Sequence, residues 1–204
     1  MTAFSFRPKS SLRVAAAFAA LLGLAGCNTS PPMQSLPPIS FAGEPAIALN
    51  VGHLIIVPAY RSSRQPPDYD YMMPVPPEVA VETWAKEHLR PMGRTGYARV
   101  TIRDAKVTKT DLDVKTGLTS LFTDQLSERF DGNLDVTLEI LDARHMPVAE
   151  VEARATATRT LPQSLSVDQR NRDLYDMTRS MVDALNTQMN GLIKSYMSRW
   201  IVQE

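Results

Sequence analysis

The sequence predicts an α+β domain in which a four-stranded, mainly antiparallel sheet carries two helices on one face, in the order β-α-β-β-β-α. Three observations predict it. The runs Asp131–Asp142 and Val148–Arg159 alternate apolar and polar residues on either side of a short turn, the period of a half-buried antiparallel hairpin. The run from Val167 to Trp200 carries an apolar stripe at helical spacing. Ahead of them, two β-branched runs flank a short amphipathic segment, which supplies the remaining strands and the first helix.

Ala46–Val57 reads as the first strand. Ile47, Leu49, Val51, Ile55 and Val57 alternate, His53 shares their face, and Pro58 closes the run. The long Pro-rich connection Pro58–Pro77 follows. Its Tyr69, Tyr71, Met72 and Met73, with Tyr60 upstream, either contact a partner or staple the loop to the domain. Pro77 at a first helical position, with Glu78 in the first turn, opens a helix to about Leu89. Val81, Trp84, Ala85 and His88 form its inner stripe, and Pro91 lies beyond its end.

Tyr97–Lys109 reads as the second strand, with Ala98, Val100 and Ile102 inward. The apolar phase then slips by one, to Ala105 and Val107, which predicts a bulge near Asp104. The connector Asp111–Gln125 contains Leu118, Leu121 and Phe122. These fold back beneath the sheet, or Leu118 and Phe122 form a second partner contact.

In the hairpin, Leu134, Val136, Leu138 and Ile140 point inward, while Asp135, Thr137 and Glu139 point to water. On its second strand the inward row is Val151, Ala153, Ala155 and Ala157, small side chains that let a helix approach closely. Ser166 and Gln169 have the spacing of a capping box. The helix behind them, about Val167 to Trp200, gathers Leu174, Met181, Val182, Leu185, Met189, Leu192, Ile193 and Tyr196 on one arc. Asp168, Arg172, Asp176, Arg179 and Asp183 lie opposite, spaced for ion pairs worth about 0.2–0.5 kcal/mol each. Strands commonly span about 17–20 Å. The helix end near Met197, Trp200 and Ile201 is therefore expected to overhang the sheet, or to cover its edge or the first helix.

The N-terminal stretch reads as an address. Met1–Arg13 carries Arg7, Lys9 and Arg13 and no acid, and Val14–Leu24 is short, apolar and uncharged. That is a secretory signal, too short to span about 30 Å of hydrocarbon. It ends in Leu24-Ala25-Gly26-Cys27, which resembles the lipobox of bacterial lipoproteins. The resemblance implies cleavage before Cys27 and acylation of its thiol. Asn28 in the next position implies the outer membrane, with the inner membrane as the alternative. Residues 1–26 are thus assigned to the signal, 27–45 to a lipidated Pro-rich tether and 46–204 to one domain.

The 204 residues carry 22 basic and 22 acidic side chains, and removal of the signal leaves a mildly acidic chain, which offers nucleic acid no electrostatic footprint. A single cysteine excludes an intramolecular disulfide and a paired-cysteine zinc site. His53, His88 and His145 have no metal-ligand spacing. Asp111-Leu112-Asp113 opens like a calcium loop, but Lys115, Thr116 and Phe122 stand where ligand, turn glycine and bidentate acid belong. There is no nucleophile elbow, phosphate loop or dinucleotide fingerprint. No catalytic residue, metal or cofactor is expected.

The element order behind the lipobox resembles two groups of proteobacterial envelope lipoproteins. One is the lipopolysaccharide-assembly lipoprotein that plugs an outer-membrane barrel, and the other is the auxiliary lipoproteins of lipid-transport ABC systems. The strings GLTSLF and SVDQRNRDLYDM are similar to a recurring alphaproteobacterial lipoprotein family. These resemblances imply a non-enzymatic accessory or scaffold, held to the membrane by its N-terminal lipid and contacting an envelope protein. The alternative is a module that holds lipid or another apolar ligand between sheet and helices.

Overall fold

A computed structural model describes residues 36–112, 126–162 and 164–202. Cys27, Leu118 and Phe122 lie outside the described residues. A four-stranded sheet has the order β2 (His53–Pro58), β4 (Tyr97–Asp111), β5 (Leu126–Leu141), β6 (Pro147–Pro162). β2 runs parallel to β4, and the other pairings are antiparallel. Two helices, α1 (Pro77–His88) and α2 (Val167–Tyr196), complete the α+β fold.

The expected first strand is broken. β1 (Ile47–Leu49) pairs in parallel with β3 (Leu89–Pro91) in a separate two-stranded sheet, and β2 resumes at His53. Both strands of the pair break together. Met92 N–H donates to Leu49 O at 2.8 Å, Gly93 N–H to Val51 O at 2.9 Å and Gly52 N–H to Thr95 O at 3.0 Å, so hydrogen bonding continues through the bend. A Cβ on Gly93 would sit 2.6 Å from the Asn50 carbonyl carbon, so only glycine lets the backbones approach this closely. The break also alters the expected faces: Ile47, Leu49 and Val51 are buried, while His53 is exposed.

The register of β4 against β5 shifts between Ile102 and Asp104, where the apolar phase slips. Ala98, Val100 and Ile102 before the shift, and Ala105 and Val107 after it, all reach the core. The hairpin strands are longer than the sequence reading placed them, at 16 residues each. At about 3.3 Å per residue that is roughly 50 Å. α2 has 30 residues, roughly 45 Å at 1.5 Å each, so helix and hairpin match and the expected overhang does not arise. α2 stops at Tyr196, four residues before the expected end, because Met197 tucks into the core and Ser198–Trp200 form a 3-10 turn. The chain then bridges β1 at Leu49 through Ile201, and Val202 N–H donates to Ala48 O at 2.9 Å.

The close approach of α2 to the hairpin is visible at Gly132, where an added Cβ would meet Met181 Sδ at 2.5 Å and Met177 Cε at 2.8 Å. Ala153 and Ala155 are buried. Gln188 of α2 reaches the edge of β6 and accepts the Arg154 backbone N–H at 2.7 Å. Ser166 Oγ accepts the Gln169 backbone N–H at 3.2 Å, as the cap requires. The Gln169 side chain turns forward to Asp173 rather than back, so the second half of the expected box is missing. Of the expected ion pairs on α2's outer arc, Arg179–Asp183 forms at 3.2 Å, whereas Arg172 bonds Gln169 instead. Tyr196, expected on the inner arc, is exposed.

The core also takes in residues from the segment expected as a tether. Ile39 and Phe41 are buried, and Glu87 on α1 accepts the Phe41 backbone N–H and the Ser40 hydroxyl.

Candidate functional site

β2 ends at Pro58, which leaves the edge of β4 beyond Ile102 open. The Pro-rich connection fills it. Tyr69 N–H donates to Val107 O at 2.7 Å, and Lys109 N–H donates to Pro67 O at 2.9 Å. This pairing sets the fate of the four loop residues named from the sequence. Met73 is buried. Tyr69 packs edge-on against Phe130 at 5.0 Å, and the Arg170 guanidinium lies 5.9 Å from the Tyr69 ring and 5.3 Å from the Phe130 ring. Arg170 also pairs with Glu128. Tyr71 and Met72 are exposed. The loop thus divides into a stapled pair and a presented pair.

Beside the presented pair is an open cleft of about 520 Å³, lined by Tyr60, Arg61, Arg64, Tyr71 and the first residues of α1. Tyr60 donates to Asp70 Oδ1 at 3.1 Å. Burial, followed by the charge of Asp70, pushes the Tyr60 phenol well above its ordinary range. Ser63 and, to a smaller degree, Lys106 hold the Asp68 carboxyl below its ordinary value.

The second polar cluster lies where the helices meet. The paired contacts Trp84–Asn186 and His88–Asn190 advance together, so α1 and α2 run parallel. Trp84 Nε1 can only donate, and its bond to Asn186 Oδ1 at 2.9 Å fixes that amide. Asn186 Nδ2 then donates to Glu44 at 2.8 Å, and Asn190 Nδ2 donates to Asn186 Oδ1 at 3.1 Å. Asn190 therefore presents its oxygen to His88 Nε2 at 2.7 Å, which requires the proton on Nε2 and leaves Nδ1 buried without a partner. Next to this cluster is an open cleft of about 650 Å³, lined by Glu44, His88, Arg90, Met92, Asn190, Lys194 and the chain at Ile201–Val202.

The outer face of the sheet is a lattice of paired charge. Arg99 holds Glu139 through two bonds of 2.7 and 2.8 Å. Arg103 and Arg154 each contact both Asp135 and Glu152. Thr137, expected to face water, is buried, and its hydroxyl has no partner. Toward the β5–β6 turn, Tyr97 stacks on His53 at 5.3 Å and on His145 at 4.2 Å, so two of the three scattered histidines share one surface. Among the described residues no three His, Cys, Asp or Glu side chains converge to hold a metal ion.

Neither polar assembly was identified from the sequence. A signal existed for one: Asn186 and Asn190 are polar positions four apart, beside Leu185, Met189 and Ile193 of the apolar stripe. For the Tyr97 stack no periodicity announces the meeting of three distant rings.

No family model matches the chain, and no curated protein matches it. A solved structure of a minor lipoprotein from Acinetobacter baumannii is similar over 76% of this chain and 99% of that one, with 15% sequence identity and a TM-score of 0.39. Among the described residues no helix is long and apolar enough to cross a membrane.

Proposed function

We propose that the chain is a lipid-anchored envelope lipoprotein that serves, without catalysis, as an accessory or scaffold of a membrane complex. Its anchor is Cys27, in the periplasmic leaflet of the outer membrane. The anchor reading rests on Leu24-Ala25-Gly26-Cys27 behind a basic and then apolar leader, with the chain's one cysteine at the modified position.

One structural observation favours a scaffold over a carrier of apolar ligand: the space between sheet and helices is filled. Met177, Met181, Leu185, Met189 and Ile193 of α2 are fully buried in one cluster with Val100, Ile102, Leu134, Val136 and Leu138. The two clefts described above lie open at the surface rather than between sheet and helices, and charged side chains stand in the wall of each. The presented pair Tyr71 and Met72 is the contact assigned to an envelope protein.

The test has two readouts. Cys27→Ser should abolish acyl labelling and release the protein or leave its leader uncleaved. A photo-crosslinking residue at position 72, activated in native membranes, should give one dominant adduct that mass spectrometry identifies. Normal processing of Cys27→Ser with continued membrane residence refutes the anchor. Absence of any adduct refutes the contact.

A further inference from the structure

The cleft beside the paired helices is bordered by cations that form no ion pair among the described residues. Arg90 and Lys194 line it, and Glu44 is the one acid in its wall. Glu44 is already bonded to Asn186. The chain that forms one rim, Ile201–Val202, follows directly on Arg199 and Trp200, whose guanidinium and ring lie 5.1 Å apart. Arg90, Lys194 and Arg199 are exposed. They take part in none of the ion pairs formed among the described residues. That contrasts with the outer sheet face, where Arg99, Arg103 and Arg154 are all paired. Met92, on the same cleft, is 64% exposed, and Val202 is 36% exposed.

Cations without an ion-pair partner among the described residues, set around exposed apolar side chains and a half-buried indole, form a surface suited to the interfacial zone of a bilayer. There, acidic headgroups meet the cations, and the indole and thioether sit at headgroup depth. We propose that this end of the domain docks on an anionic phospholipid surface, with Arg90, Lys194 and Arg199 on lipid phosphates and Met92, Trp200 and Val202 at the headgroup boundary. The proposal rests on the anchor reading, which supplies the bilayer. From Cys27 to Leu36 the chain can span at most about 30 Å, so the domain is held where the surface is always at high effective concentration.

Each Lys or Arg near an anionic leaflet favours the bound state by about fivefold. Contacts of that strength, acting from a tether, give reversible docking that salt weakens.

The experiment uses the full chain, expressed in a lipoprotein-processing host. It is reconstituted into vesicles of phosphatidylethanolamine and phosphatidylglycerol at seven to three, and separately into phosphatidylcholine alone. Both carry a brominated phospholipid. Trp84 is fully buried, so the difference in quenching between wild type and Trp200→Phe reports Trp200. The expected result is strong quenching of Trp200 in the anionic vesicles only, abolished by 0.5 M salt. Arg90→Glu combined with Lys194→Glu should weaken it at least tenfold, with the circular dichroism unchanged.

Equal quenching in both vesicle types, or none in either, overturns the docking. So does quenching that survives the double charge reversal, and so does a cluster that captures an acidic protein while Trp200 stays unquenched. Intact mass, read on the same samples, reports acylation of Cys27 separately. A chain without acyl groups that still shows charge-dependent Trp200 quenching refutes the anchor and leaves the docking standing.

Discussion

The indole N–H of Trp84 donates to Asn186 Oδ1 across the contact between the two helices, 102 residues apart in sequence and 2.9 Å apart in space. That bond fixes the orientation of every amide behind it, as far as Glu44 and His88. Asn186→Ala removes the acceptor and leaves a buried donor unpaired, so it should cost about 1–3 kcal/mol. Thr187→Ala, at an exposed neighbouring position, should stay within about 0.5 kcal/mol. Urea unfolding of the two variants, followed by circular dichroism, measures the difference.

Gly132 and Met181 share one space. Gly132→Val should destabilise by about 1–3 kcal/mol through overpacking, because its side chain would occupy the place of Met181 Sδ. The same substitution in a Met181→Ala background should cost markedly less. Additive unfolding free energies for the pair would contradict the close approach.

Thr137 and Val136 test the two faces of β5. Val136→Asp buries a charge without a partner and should cost several kcal/mol. Thr137 is 4% exposed with an unsatisfied hydroxyl. Thr137→Val, which keeps the shape and removes the orphan, should therefore be neutral or stabilising by about 1 kcal/mol. A clear loss on Thr137→Val would show that the hydroxyl has a partner after all. Thermal melts suffice.

The acid limb of stability follows from carboxylates held below their ordinary value of 4.5. Bonding by Arg99 holds Glu139 down, and the Phe41 N–H and Ser40 hydroxyl do the same for Glu87. Burial would raise Glu128, but Arg170 and Lys109 outweigh it. Because these folded values are depressed, their stabilisation is fully present above the unfolded value and is lost as pH falls through the folded values. The urea midpoint should therefore stay flat from neutrality to about pH 5 and fall below that. Glu139→Gln should lower the neutral midpoint and shallow the acid slope. An unchanged slope would remove Glu139 from the account.

The loop should separate into its two pairs. Met73→Ser empties a buried site and should cost about 2–5 kcal/mol, the range for core truncations. Tyr71→Ser with Met72→Ser should leave the unfolding midpoint within about 0.5 kcal/mol. Loss of the envelope partner from chemical crosslinking of native membranes, without loss of stability, assigns the contact to Tyr71 and Met72. Scanning calorimetry alongside the crosslinking reads both.

The sequence disclosed what rests on local periodicity. The hairpin phase at Leu134–Ile140, the slip near Asp104 and the cap at Ser166 each depend on neighbours a few residues away. The break at Asn50–Gly52 was hidden, because alternation from Ile47 to Val57 continues numerically across a bend that only the partner strand dictates. The burial of Thr137 was hidden for a similar reason. Arginines from β4 and β6 roof the middle of β5, and no pattern within one strand records what its neighbours extend over it. Of the four loop residues, composition singled out all of them, but the edge of β4 decided which two were taken inward.

The parallel pairing of β2 with β4 also orders events during synthesis. Strands β4, β5 and β6 follow one another through antiparallel neighbours, so each finds its partner soon after it emerges. β2 emerges first, yet His53 must wait for Tyr97, with all of α1 intervening. During that interval Leu54-Ile55-Ile56-Val57 is an unpaired apolar run with three β-branched residues, a composition prone to self-association. Even when folded it remains a sheet edge. As a nascent thread, the molecule carries this apolar segment ahead of the strand that covers it. The interval between the two is the step at which a holdase chaperone has most to protect.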